Sequence, residues 1–106
     1  MNEYVQVFMT IDDREAAEGI AKEILEKRLA ACFQIAGPIT SLYWWEGEIK
    51  EGEEWLCIMK TTGGLYRELE EALKKMHPYE VAEILAVPVA AGNQDYLDWV
   101  HRAVAG

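Results

Sequence analysis

The chain has 106 residues, 51% of them hydrophobic and 27% charged, a size that fits one compact domain and a composition that excludes both a disordered chain and a membrane-embedded one. Ten Lys and Arg against nineteen Asp and Glu leave a net charge of −9, so a polyanion meets repulsion where binding relies on phosphate neutralisation; nucleic acid is not an expected partner. The acid excess is uneven. Residues 46–54 hold Glu46, Glu48, Glu51, Glu53 and Glu54 against Lys50 alone, which makes that segment either a solvated tip or a cation-attracting one.

Two cysteines, Cys32 and Cys57, with no CxxC pair, make no disulfide scaffold and suit a reducing compartment. Strand-like alternation begins by Tyr4, and the longest apolar run, 84–91, is interrupted by Pro88. Neither a leader peptide nor a membrane span is expected, so the sequence reads as cytoplasmic, with no membrane partner.

In chain order, residues 4–10 are β-branched and aromatic, with Val5, Val7 and Met9 on one face and Tyr4, Gln6 and Phe8 on the other. Two largely apolar faces predict a central strand. Asp12 and Glu15 have capping-box spacing, and Ala17, Ile20, Ala21, Ile24 and Leu25 recur at helical intervals, predicting a helix up to Leu29. From Ala31 the pattern is extended, and Gly37-Pro38 within it predicts a bulge or an edge position. Lys50-Glu51-Gly52-Glu53 reads as the turn of a hairpin with arms over 39–49 and 53–62. Each arm would reach about 33 Å, against roughly 17–20 Å for an ordinary strand, so the hairpin is expected to overhang its sheet. Leu65, Leu69, Ala72, Leu73 and Met76 trace a second helix that His77-Pro78 terminates. Residues 83–89 predict a fourth strand, on an edge because of Pro88, and Asn93 caps a last helix carrying Tyr96, Leu97, Val100, Ala103 and Val104.

The order β-α-β-β-α-β plus a terminal helix predicts an α+β, ferredoxin-like sandwich over residues 1–106, with strands one and three central and strands two and four at the edges. One helix layer covers one sheet face, which leaves the other face and a hairpin carrying Tyr43, Trp44, Trp45 and Trp55 in need of cover. Leaving three such rings in water forgoes on the order of 10 kcal/mol of burial at about 25 cal/mol per Å². Self-association is the remedy. A closed homo-oligomer with each hairpin packed on a neighbour, such as a trimer, avoids the fibres that open edge pairing would give.

The densest chemistry is His77-Pro78-Tyr79-Glu80, which presents an imidazole, a phenol and a carboxylate on one turn. A binding turn is one reading; the plainer and preferred one has His77 capping helix carbonyls while Tyr79 packs. His101 reads as a surface residue, Cys57 as a buried small apolar group, and Cys32, near a strand end, as the same with less constraint. Lys60 lies among apolar strand neighbours, and an ion pair with Glu54 or Glu80 is expected ahead of snorkelling. Catalysis is not expected. Gly63-Gly64 lacks the remainder of a phosphate-binding loop, Ile11-Asp12-Asp13 would repel phosphate, and no Ser/His/Asp or Cys/His arrangement emerges.

Five ordered stretches carry a resemblance: EKRLAAC (26–32), TSLYWWEG (40–47), Lys60-Thr61-Thr62, His77-Pro78-Tyr79-Glu80, and Gly92 with Asp95-Tyr96-Leu97. Over essentially the whole chain the sequence resembles the CutA divalent-cation tolerance family. The resemblance implies a PII-like homotrimer whose long hairpins extend each neighbour's sheet, and cytoplasmic tolerance of divalent metals, copper especially, without an established reaction. It further implies a cleft between subunits drawing on Arg28, Cys32, Tyr43, Trp45, Lys60, Tyr79 and Glu80. In some members it implies copper held by a cysteine at the end of strand one and a His-His pair before the Pro-Tyr; here Met9 and Met76 occupy two of those positions and His77 alone remains. Thioethers suit Cu(I), whereas Cu(II) prefers imidazole and carboxylate. The expected ligand is thus copper or another divalent cation at a weak or shared His77 site, not needed for folding. The first alternative is a PII-like sensor or adaptor, because a carboxylate, a lysine and aromatic walls also suit a small anionic or zwitterionic metabolite. A second is a scaffold that docks another protein.

Overall fold

The computed structural model describes residues 3–106, so the first two residues of the expected domain lie outside the described residues. Strand β1 (Tyr4–Ile11) buries Val5, Val7, Met9 and Ile11 against a helical layer and turns Tyr4, Gln6, Phe8 and Thr10 to the opposite face. Helix α1 (Arg14–Glu26) starts one residue later than the capping-box spacing suggests. Its cap is Asp13, whose Oδ1 accepts the backbone N–H groups of Glu15 at 2.9 Å and Ala16 at 3.3 Å.

The end of α1 is unusual. Arg28 N–H donates to Leu25 O at 3.0 Å and Leu29 N–H to Ile24 O at 3.1 Å, the double bond of a Schellman ending. That ending needs a left-handed residue, and Arg28 supplies it at φ 59° where glycine is usual. Its guanidinium then crosses to donate to Ala103 O at 2.8 Å, placing a cation on the carbonyl end of the last helix.

Strands β2 (Cys32–Trp45) and β3 (Glu48–Thr62) form the long hairpin, and β4 (Ile84–Pro88) completes an antiparallel sheet of order β2-β3-β1-β4. The central and edge strands fall as the crossovers require. The hairpin turn does not fall at residues 50–53. Pairing continues to Trp45 opposite Glu48, and the chain reverses at Glu46-Gly47, with φ of 50° and 78°. Two consecutive residues of positive φ match the right-handed strand twist that a two-residue hairpin needs, so the arms run on past the Gly-containing polar stretch and Gly52 sits in β3 opposite Ser41. At Gly37-Pro38 the β2 register shifts, on an edge strand, as expected.

Helices α1 and α2 (Tyr66–Met76, preceded by a 3-10 turn at Gly63–Leu65) cover one sheet face. Val7, Met9, Cys57, Met59, Leu69 and Leu73 are fully enclosed between them, each worth about 1.5–3 kcal/mol of burial for the larger side chains. Helix α3 (Gln94–Ala105), capped by Asn93, lies on the other face near Tyr4, where it encloses Val100. The rest of that face is uncovered: Leu85 and Val87 are exposed beside half-buried Phe8 and Ile58.

β1 stops pairing at Ile11 opposite Trp55, so residues 48–54 of β3 and their β2 partners project beyond the sheet, about 24 Å at 3.4 Å per residue. The molecule is accordingly elongated, 44 × 26 × 22 Å. On the arm Trp44 is 72% exposed, and Leu42 and Ile49 are 63% exposed.

Candidate functional site

Where the arm leaves the sheet, a groove of about 780 Å³ opens between residues 40–45 of β2 and the loop 79–83 that joins α2 to β4. Register puts Ser41, Tyr43 and Trp45 on one face of the hairpin with Glu54, because Tyr43 pairs with Lys50 and Trp45 with Glu48. Thr10 closes the floor at the end of β1.

The loop wall is held by His77. Its ring is 7% exposed; Nε2 lies 2.7 Å from Thr10 O, and Nδ1 accepts the Tyr79 N–H at 3.0 Å. A carbonyl can only accept and a backbone N–H can only donate, so the imidazole is neutral with its proton on Nε2. In this arrangement the one ring lone pair of His77, the expected metal ligand, is committed to the Tyr79 N–H. His77 caps the end of β1 instead of the helix carbonyls. Tyr79 stacks edge-on against His77, with centroids 4.6 Å apart, and its phenol donates to Glu54 Oε2 at 2.9 Å. Burial, then that bond to Glu54, then nearby carboxylate charge push the Tyr79 phenol well above its ordinary range.

The residues expected to share one cleft fall into two places. Tyr43, Trp45, Tyr79 and Glu80 line the groove at the root of the arm. Cys32 and Lys60 instead sit opposite one another in the β2–β3 register beside α3. Cys32 Sγ lies 3.5 Å from the Tyr96 hydroxyl, and Tyr96 is raised to about 12 by burial first and by the Cys32 bond second. Lys60 does not pair with Glu54 or Glu80; its Nζ donates to Gln34 Oε1, because Gln34 is its neighbour on the same face while Glu54 faces Tyr79. Arg28 holds Ala103 and lines neither place.

Glu54 is the groove residue that the sequence reading assigned to the wrong partner. Its signal was its position: Glu54, Leu56, Ile58 and Lys60 share one strand face, so an acid opens a run of apolar side chains. Tyr96 could have been weighed in the same way, since it shares the apolar side of α3 with Leu97 and Val100. Cys57 is fully enclosed, and burial pushes its thiol to about 11, which leaves it unreactive. Among the described residues, no group of three or more His, Cys, Asp or Glu side chains is placed to hold a metal ion, so one protomer does not by itself fit a resident metal.

Fold and groove together define a class: a ferredoxin-like protomer with a projecting hairpin arm and a ligand-sized groove at its root. The family model described as CutA1 divalent ion tolerance protein matches residues 5–103. A Thermus thermophilus protein named divalent-cation tolerance protein CutA is 47% identical over 96 residues, covering 91% of this chain and 93% of its own. A mouse protein named CutA is 46% identical over 95 residues, and there the chain spans only 54% of the relative's length. The Archaeoglobus fulgidus structure, titled a periplasmic divalent cation tolerance protein, superposes with a TM-score of 0.92 at 40% identity, over 95% of this chain and 98% of that one. The chain belongs to the CutA1 divalent ion tolerance family.

Proposed function

We propose that the protein acts in divalent-cation tolerance as a closed homotrimer, without catalysis, and that its ligand site is the groove at the root of the arm. The observation that carries this reading is the arm itself: Leu42, Trp44 and Ile49 stand exposed on a β-ribbon that projects past the end of β1. A second copy buries them, and a contact of arm on neighbour is heterologous, so it must close into a ring to avoid a filament. Three is the count the family resemblance implies. The neighbour then walls the open side of the groove.

Copper is the metal toward which the resemblance points. Since the donors of one chain do not converge, a copper site requires side chains from two copies, and the cytoplasmic assignment rests on two free thiols, Cys32 and Cys57. Calorimetric titration of the assembled protein with Cu(I), Cu(II) and Zn(II), repeated on a Trp44→Ser, Ile49→Ser variant, tests this. Stoichiometric metal uptake that disappears with the oligomer supports the reading; uptake unchanged in the dissociated variant places the metal within one chain and refutes the shared site.

A second reading, a sensor of a small metabolite, is favoured by the groove volume of about 780 Å³, which lies within the range of small-molecule sites. A protein that ignores all three metals yet is stabilised by a metabolite would establish it, since ligand at 100 times its Kd adds about 2.7 kcal/mol.

A further inference from the structure

The charged side chains that line the groove are all acidic, and Lys50, opposite Tyr43 on the same hairpin face, is held by Glu48 at 3.1 Å. Glu54, Glu80 and Glu83 line it, no Lys or Arg is among its lining residues, and Tyr43 and Trp45 offer half-open rings. Lys60, which suggested an anionic ligand from the sequence, lies away from it beside α3.

Glu54 is the informative member. It is 9% exposed, and its one donor among the described residues is a neutral phenol on Oε2, while Oε1 receives none. Buried carboxylates are ordinarily paired with a cation or fully hydrogen-bonded; this one has no cationic partner among the described residues and keeps Oε1 free of protein donors at the cavity it lines.

Within one chain a small divalent ion does not answer that charge, because the carboxylates of the described residues do not gather into a chelating group. A larger, weakly hydrated cation can touch separated carboxylates and aromatic faces at once. We propose that the groove selects organic cations bearing an ammonium or guanidinium group, over the anionic or zwitterionic ligands that the sequence suggested. This rests on the reading of the groove as the ligand site.

The test is a two-dimensional NMR titration of the intact protein in its native oligomeric state. The probes are tetramethylammonium chloride and arginine ethyl ester at constant ionic strength, with sodium citrate and sodium chloride as controls. The Trp45 indole and Tyr79 amide signals are expected to move with both cations and to stay still with citrate. Glu80→Gln and Glu83→Gln alter exposed side chains and leave the fold intact; each is expected to weaken cation binding by roughly two- to fivefold. Trp45→Ala is expected to weaken it by a similar factor, about two- to fivefold. Shifts with citrate and not with the cations overturn the charge preference while leaving the groove as the site. If no probe moves either signal, as when a neighbour's side chain fills the groove, both the preference and the groove reading fail.

Discussion

The two halves of β3 differ in what surrounds them. From Trp55 to Thr62 the strand is flanked by β1 and β2 and roofed by α1 and α2, with Cys57, Met59 and Thr61 fully enclosed. From residue 48 to 53 it has β2 on one side and solvent elsewhere, and every residue except half-buried Gly52 is exposed. One continuous strand thus belongs to two environments: the inner half is stabilised by its own chain, and the outer half, in the trimer we propose, by a neighbour. The helix-covered half should be sensitive to any loss of volume, whereas changes on the arm should act on association.

The largest expected effect lies in the covered half. Leu69→Ala removes a fully enclosed side chain and is expected to lower the unfolding free energy in urea by about 2–5 kcal/mol. A loss under about 1 kcal/mol would mean that this half is not tightly packed. Next comes the Arg28 pair. Arg28→Ala keeps the left-handed backbone and loses the bond to Ala103, whereas Arg28→Gly loses the same bond but relieves the strain. The glycine variant is therefore expected to be more stable than the alanine variant by about 1 kcal/mol. Equal stabilities would show that residue 28 has left the conformation described.

Thr61 gives a smaller effect of opposite sign. It is fully enclosed, and its Oγ1 has no partner among the described residues, so Thr61→Val, similar in shape and free of the unmet hydroxyl, is expected to stabilise by up to about 1 kcal/mol in thermal unfolding. The last effect is a slope. Burial raises the Cys57 thiol from 9.0 to about 11, so the folded chain holds that proton more tightly than the unfolded chain does. The associated stability is fully present below about pH 9 and is lost as pH rises through about 11. Cys57→Ala is expected to flatten the decline across that window; an unchanged decline would assign it to other groups.

The fold was legible because its signals are periodic and local. Apolar spacing marked both covering helices, Asn93 marked the start of α3, and the strand order followed from crossover handedness. The hairpin turn was misplaced because Glu46-Gly47 lacks the Asn-Gly signature, while the polar stretch at 50–53 resembles a turn in composition. The site was legible in part. His77, Tyr79 and Glu80 announce themselves as a cluster, yet nothing local to them shows that the Thr10 carbonyl, 67 residues away, accepts the hydrogen bond of the imidazole Nε2–H. Likewise, Lys60 reads as an ion-pair partner until register reveals Gln34 beside it. Partners distant in the chain are set by tertiary geometry, which periodicity does not encode.

The central claim is that the outer half of the hairpin is completed by copies of the same chain. Sedimentation equilibrium at micromolar concentration tests it most directly. The account predicts a single species of three times the 12.1 kDa chain mass, dissociating when Trp44 and Ile49 are replaced by serine. A stable 12.1 kDa species with its tryptophans exposed to a collisional quencher would contradict it.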